Sequence, residues 1–204
     1  MTISGIGAEG GARHRRVKGS KPSAVVLVEG VSDQRALEAM AQRRGRDLET
    51  EGIFIVPIGG SKNIRRYLDR FGPRGLDVRL AGLCDAAEVG DFQRGLEHVG
   101  LGSNLTRADL EKLGFYICDA DLEDELIRSL GPAAVEQVVD AQGDLGKFRT
   151  FQRQPAKRGQ AVEEQLRRFM GTHSGRKIEY ASLLVHALDP RHVPRPLERV
   201  LAHV

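Results

Sequence analysis

Four short apolar runs, each followed by a stretch with helical spacing, leave this chain few ways to fold. They are Ala24-Val25-Val26-Leu27-Val28, Ile53-Phe54-Ile55-Val56, Val78–Cys84 and Phe115-Tyr116-Ile117-Cys118. Short runs without polar alternation read as strands covered on both faces, the kind that parallel sheets contain. After the first run, Ala36, Leu37, Met40 and Ala41 recur at helical spacing, with Ser32 placed to cap the helix. After the second, Pro57 and Gly59-Gly60 end the strand, and Ile64, Tyr67, Leu68 and Phe71 share one face of a helix over 63–71. Further helices are predicted near Phe92–His98, over Leu105–Leu113 and over Leu122–Leu130, the last closed by Gly131-Pro132. Strand and helix in alternation predict an α/β fold with a mainly parallel sheet, flanking helices and right-handed crossovers.

Beyond Gly131 no strand pattern returns. Ala133–Ala141, Ala161–Met170 and Ile178–Leu188 are helical by spacing, and Pro190, Pro194 and Pro196 predict an extended segment before a last helical turn. The expected organisation is a glycine-rich basic arm over 1–22, an α/β domain over 23–131, and a helical extension over 132–204 packed on it.

A chain of 204 residues with 40% hydrophobic residues is long enough for a real core. It has no run near the ~20 apolar residues a bilayer span requires, and no apolar segment follows its basic N-terminus as secretion would need. Its two cysteines are too few for a disulfide scaffold, and neither they nor the six histidines have zinc-ligand spacing. The expected setting is the cytoplasm.

The formal charge of +3 conceals a strong asymmetry. Residues 1–22 hold five basic side chains against one acid, and residues 146–178 hold nine against two. The segment between them, 23–145, holds 22 acids against 14 basic residues. Basic tracts supply phosphate contacts in nucleic-acid binding, although a solvated tail and an ordinary polar helix explain the same counts.

Ligands of parallel α/β sheets bind beyond the carboxyl ends of the strands. Glu29 and Asp33 follow the first run, Asp85 and Glu88 the third, and Asp119, Asp121 and Glu123 the fourth, whereas Gly59-Gly60-Ser61-Lys62 follows the second. Like charges gathered on one rim repel one another unless a cation sits among them. An all-oxygen donor set favours Mg²⁺ or Mn²⁺ over zinc. Asp33, Asp121, Glu123 and Asp124 have a second explanation, since acids at helix starts complement the macrodipole. Glu29 and Asp85 end buried strands and gain nothing in that way.

Val26-Leu27-Val28-Glu29-Gly30-Val31-Ser32-Asp33, with Leu83-Cys84-Asp85 some fifty residues later, resembles the TOPRIM domain of topoisomerases, primases and nucleases. The Val-Glu-Gly-x-Ser-Asp form is most similar to the TOPRIM part of the overcoming-lysogenization-defect (OLD) nucleases. Ile58-Gly59-Gly60-Ser61-Lys62-Asn63 and Asp121-Leu122-Glu123 resemble that family as well. The resemblance implies a Rossmann-like sheet and a divalent ion held by Glu29 and Asp85, helped by Asp33 and Glu123. Where the family has a second aspartate this chain has Ala87, with Glu88 next to it; Asp119-Ala120-Asp121 offers another pair, about thirty residues later.

In that family an ATPase half precedes the TOPRIM part. This chain has no GxxxxGK[ST] sequence, so any ATP hydrolysis is expected from a separate chain.

The basic stretch holds Arg167, Arg168, Arg176 and Lys177 as candidate phosphate contacts, together with Lys62 after the second strand; Phe148 and Phe151 read as core. Lys177 resembles the family's catalytic lysine. The function expected is Mg²⁺- or Mn²⁺-dependent hydrolysis of DNA phosphodiesters, with Glu29, Asp85 and Lys177 as catalytic residues and Glu29, Asp33, Asp85, Glu88 and Glu123 as metal ligands. The alternatives are a non-catalytic nucleic-acid-binding module or a regulatory partner of a separate ATPase. DNA, such an ATPase and a second copy of the chain are the partners under consideration.

Overall fold

Each of the four runs forms a strand: β1 (Ala24–Val28), β2 (Ile53–Pro57), β3 (Arg79–Cys84) and β4 (Phe115–Ile117). The structure, a computed structural model, describes residues 21–204, so the expected basic arm lies outside the described residues except for Lys21 and Pro22. The sheet is wholly parallel, in the order β2-β1-β3-β4. β1 is central, with Val28 beside Pro57 on one side and Leu83 on the other. The chain leaves β1 toward one neighbour and returns to the other, which creates the crevice where such sheets bind ligands.

Ten helices surround the sheet among the described residues: α1 (Val31–Arg43), α2 (Ile64–Phe71), α3 (Val89–His98), α4 (Arg107–Lys112), α5 (Leu122–Leu130), α6 (Pro132–Ala141), α7 (Leu145–Gln152), α8 (Val162–Met170), α9 (Ser174–Ala187) and α10 (Arg195–His203). Single 3₁₀ turns, Ser61–Asn63 and Ala86–Glu88, lead into α2 and α3. Gly30, not Ser32, holds the N-cap position of α1, because the Asp33 carboxylate accepts the Gly30 N–H at 2.8 Å. The final helix has nine residues instead of one turn. Pro196 sits in its first turn, where a missing N–H removes no helical bond, and Leu197, Val200 and Leu201 are buried.

Residues of β1 alternate between two cores. Ala24, Val26 and Val28 join α1 and the helices from α5 onward, while Val25 and Leu27 join α2, α3 and α4. The first core continues to Leu201, so the sheet and the C-terminal helices share one apolar cluster. α7 was not expected; only Phe148 and Phe151 mark its buried face in a cation-rich stretch. Both rings pack on Phe169 of α8, with centroids 5.2 and 5.7 Å away. Burying each such side chain contributes about 1.5–3 kcal/mol. Between β1 and β4 the sheet requires Gly82, since a Cβ there would meet the Phe115 ring at 2.5 Å. Among the described residues no helix is long and apolar enough to cross a membrane.

Candidate metal centre

The register that pairs Val28 with Leu83 sets the residues beyond these strands side by side. There the Asp85 N–H donates to Glu29 Oε1 at 3.0 Å. The loop after β2 closes on the same point, because the N–H groups of Gly59 and Gly60 donate to the Glu29 carbonyl at 3.0 and 3.1 Å. Both glycines have positive φ, +72° and +105°, which side chains with a Cβ rarely adopt. Asp33 is 8% exposed at the start of α1, and Glu123 is 4% exposed at the start of α5.

These acids act on one another. Burial pushes Asp33 up to about 7, with the charges of Glu123 and Glu29 adding to the rise. Burial likewise lifts Asp85 to about 8, with repulsion from Glu29, Asp33 and Asp121 behind it. Glu29 is raised by burial and by Glu88, against the lowering effect of the Asp85 N–H. Glu123 is raised by burial, although Lys177 beside it pulls the other way. The Lys177 Nζ stands 3.0 Å from Glu123 Oε2. Burial alone would lower this ammonium, but Glu123, Asp33 and Asp121 hold it above its ordinary value. Lys177 is the cation that moderates Glu29, Asp33, Asp85 and Glu123 together.

Glu123 Oε1 is buried and has no hydrogen-bond partner. A buried carboxylate oxygen left so is costly unless a cation answers it. The donors are all oxygens, so their chemistry fits a hard divalent ion. Among the described residues, however, no three His, Cys, Asp or Glu side chains stand close enough to make a ready coordination sphere. Ala87 is exposed in the 3₁₀ turn after Asp85.

Glu88 is drawn aside. The Ser61 hydroxyl meets both its carboxylate and, at 2.6 Å, that of Asp91. A hydroxyl has one proton to donate, so two carboxylates share a single donor. The strand-end pattern points to neither the Ser61 side chain nor Asp91. The spacing of Glu88 and Asp91, three apart at the start of α3, was the available signal.

The later aspartate pair is committed elsewhere. Asp119 pairs with Arg107 and Arg128 at 3.2 and 2.9 Å, while Asp121 caps α5 and pairs with Arg167 at 2.7 Å. The expected phosphate contacts divide in the same way. Arg167 and Arg168 both pair with Glu164, and Arg167 also with Asp121. Arg176 lies 4.3 Å over the Phe169 ring and 3.3 Å from Asp144, away from the carboxylates that Lys177 faces. Each of the three thus has a carboxylate partner, and Arg176 a ring as well. Lys62 is exposed at the rim, near enough to Asp91 to lower it.

Residues 23–86 match the family model described as overcoming lysogenization defect protein-like, TOPRIM domain. Among solved structures, the chain is similar to the C-terminal region of the Xanthomonas campestris pv. campestris OLD protein, with a TM-score of 0.70 and 22% identity over 90% of this chain and 92% of that one. The C-terminal region of the Burkholderia pseudomallei OLD protein gives 0.68 and 18%, over 89% and 96%. These likenesses extend the shared fold from the matched segment through the C-terminal helices. No curated protein matches the chain.

Proposed function

From the match of residues 23–86 to the OLD-like TOPRIM model, we propose divalent-metal-dependent hydrolysis of phosphodiester bonds in DNA. One observation carries the reading: burial, with repulsion among carboxylates beyond three strand ends, raises the proton affinity of Glu29, Asp33, Asp85 and Glu123, and the Lys177 ammonium acts on all four. Groups so perturbed cluster where chemistry is done. Glu29, Asp33, Asp85 and Glu123 would hold the ion, with Glu88 available once Ser61 releases it. Bound there, such an ion supplies an activated water and screens phosphate charge.

The chain's own residues supply the rest. The Asp85 N–H fixes the Glu29 carboxylate, and the glycine turn fixes the Glu29 backbone. Lys177 keeps a positive charge beside the acids, placed to stabilise charge that develops on phosphoryl oxygens. Glu123 orients that ammonium through their 3.0 Å contact. Lys62 borders the approach.

The test is plasmid cleavage by the purified protein with Mg²⁺ or Mn²⁺, against Glu29→Gln. Loss of cleavage in the variant is expected; equal rates overturn the reading. Ala87, exposed where the resemblance puts a second aspartate, favours one alternative, a nucleic-acid-binding module without turnover. Salt-sensitive DNA binding with no metal-dependent cleavage identifies that case.

A further inference from the structure

Cations that could meet a polyanion are not where the charge count places them. Of the nine basic side chains in residues 146–178, six pair with carboxylates: Lys147 and Arg176 with Asp144, Arg149 with Glu136, Arg167 with Asp121, Arg168 with Glu164 and Lys177 with Glu123. An internally neutralised arginine has little charge left to offer a phosphate.

Around α2 the situation is reversed. Lys62, Arg65, Arg66, Arg70 and Arg74 are all exposed, and among the described residues none forms an ion pair. The one acid on the helix, Asp69, turns to His98 at 3.5 Å. Ile64, Leu68 and Phe71 are buried, which fixes the opposite face outward. Lys62, Arg66, Arg70 and Arg74 follow one another at intervals of four, so Arg66 and Arg70 lie on one ridge of α2, about 6 Å apart along its axis. Like charges at that spacing disfavour a helix; Arg70 lies 5.1 Å over the Phe71 ring and stays exposed, without a carboxylate partner among the described residues. Lys62 stands in the 3₁₀ turn just before α2, next to Ser61, whose hydroxyl joins Glu88 and Asp91 at the edge of the acidic centre.

We infer that the outer face of α2, Arg66 and Arg70, with Lys62 in the turn before it and Arg74 in the turn after it, is the track that holds the phosphate backbone of a nucleic-acid strand leading to the carboxylates. The inference rests on the proposed function for its partner and adds the surface that binds it. Contacts of this kind are electrostatic and independent of base sequence, and their number sets the salt dependence of binding.

The test is fluorescence anisotropy of the full chain with a fluorescein-labelled DNA duplex across a NaCl series. Arg66→Gln with Arg70→Gln is expected to weaken binding at least tenfold and to make the log–log salt slope shallower by about 2. Arg149→Gln with Arg168→Gln, which removes cations already paired, leaves both quantities near wild type. Glu29→Gln, inactive under the proposed function, still binds. If wild type binds the duplex and the α2 variant matches it, this inference alone is overturned. If wild type does not bind, the proposed function is lost as well. Capture of poly-glutamate in place of the duplex assigns the ridge to an acidic protein and also overturns the inference.

Discussion

Lys177 and Glu123, 54 residues apart in sequence, meet at 3.0 Å, with Lys177 Nζ against Glu123 Oε2 while the other carboxylate oxygen is buried and unpartnered. The pair joins α9 to α5 and brings a cation that moderates the acidic centre to the carboxyl edge of the sheet. Removing it leaves the acids facing one another.

Lys177→Met is therefore expected to lower metal-dependent DNA cleavage by about 10²–10³-fold, the usual cost of losing one group that stabilises developing charge. Duplex affinity should be almost unchanged, because the other cations of the surface remain. Initial cleavage rates and anisotropy on the same preparation check both halves. A variant that cleaves at the wild-type rate removes Lys177 from the chemistry.

Stability of the metal-free protein should fall as pH rises from about 4 to about 8. Asp33 and Asp85 have folded-state values of about 7 and about 8, above the ordinary 3.8. A carboxyl raised on folding stabilises fully below its unfolded value, and that contribution is lost as pH climbs through the folded one. A divalent ion that binds the ionised acids reverses the trend by mass action. Scanning calorimetry should show a larger rise in Tm on adding Mn²⁺ at pH 8 than at pH 5.5. An equal rise at both values contradicts a carboxylate-held ion.

Asp85→Asn should stabilise the metal-free protein at pH 8 and abolish the Mn²⁺-dependent gain. The amide replaces a charge that burial and Glu29 disfavour. A gain on the order of 1 kcal/mol, or about 2–4 °C for a chain of this size, is expected. Thermal melts of wild type and variant, with and without Mn²⁺, decide it. A destabilised variant would mean that the Asp85 carboxylate serves the fold instead.

Phe148→Ala probes the C-terminal helices. The ring is fully buried against Phe169, and its removal should cost about 3–5 kcal/mol. A fall in Tm on the order of 10 °C should accompany it. A change of only a degree or two would mean that α7 and α8 do not pack as described.

The four strands were legible because buried parallel strands leave uninterrupted apolar runs, and Leu122–Leu130 was legible to the residue because its cap and closing glycine are local signals. Glu29 and Asp85 could be singled out because acids directly after such runs have no local explanation. α7 could not be read, since two phenylalanines among cations give too little periodicity. Pairing was invisible for another reason. Arg167 finds Asp121 across 46 residues, and Arg176 finds Asp144 across 32. No spacing rule announces such contacts, so a tract dense in positive charge looked available when most of it was occupied. The cations of α2, without carboxylate partners among the described residues, were hidden by a net charge summed over the wrong segment.

The order of synthesis gives the distance between Glu29 and Lys177 a further meaning. A nascent chain exposes Glu29, Asp33, Asp85 and Glu123 before the codon for Lys177 is read. Until α9 docks on α1, the growing polypeptide carries the acids without the ammonium that moderates them. The acidic centre is therefore balanced only once the last helices are in place, and a truncated translation product retains the acidic motifs without the ammonium that Lys177 brings to them.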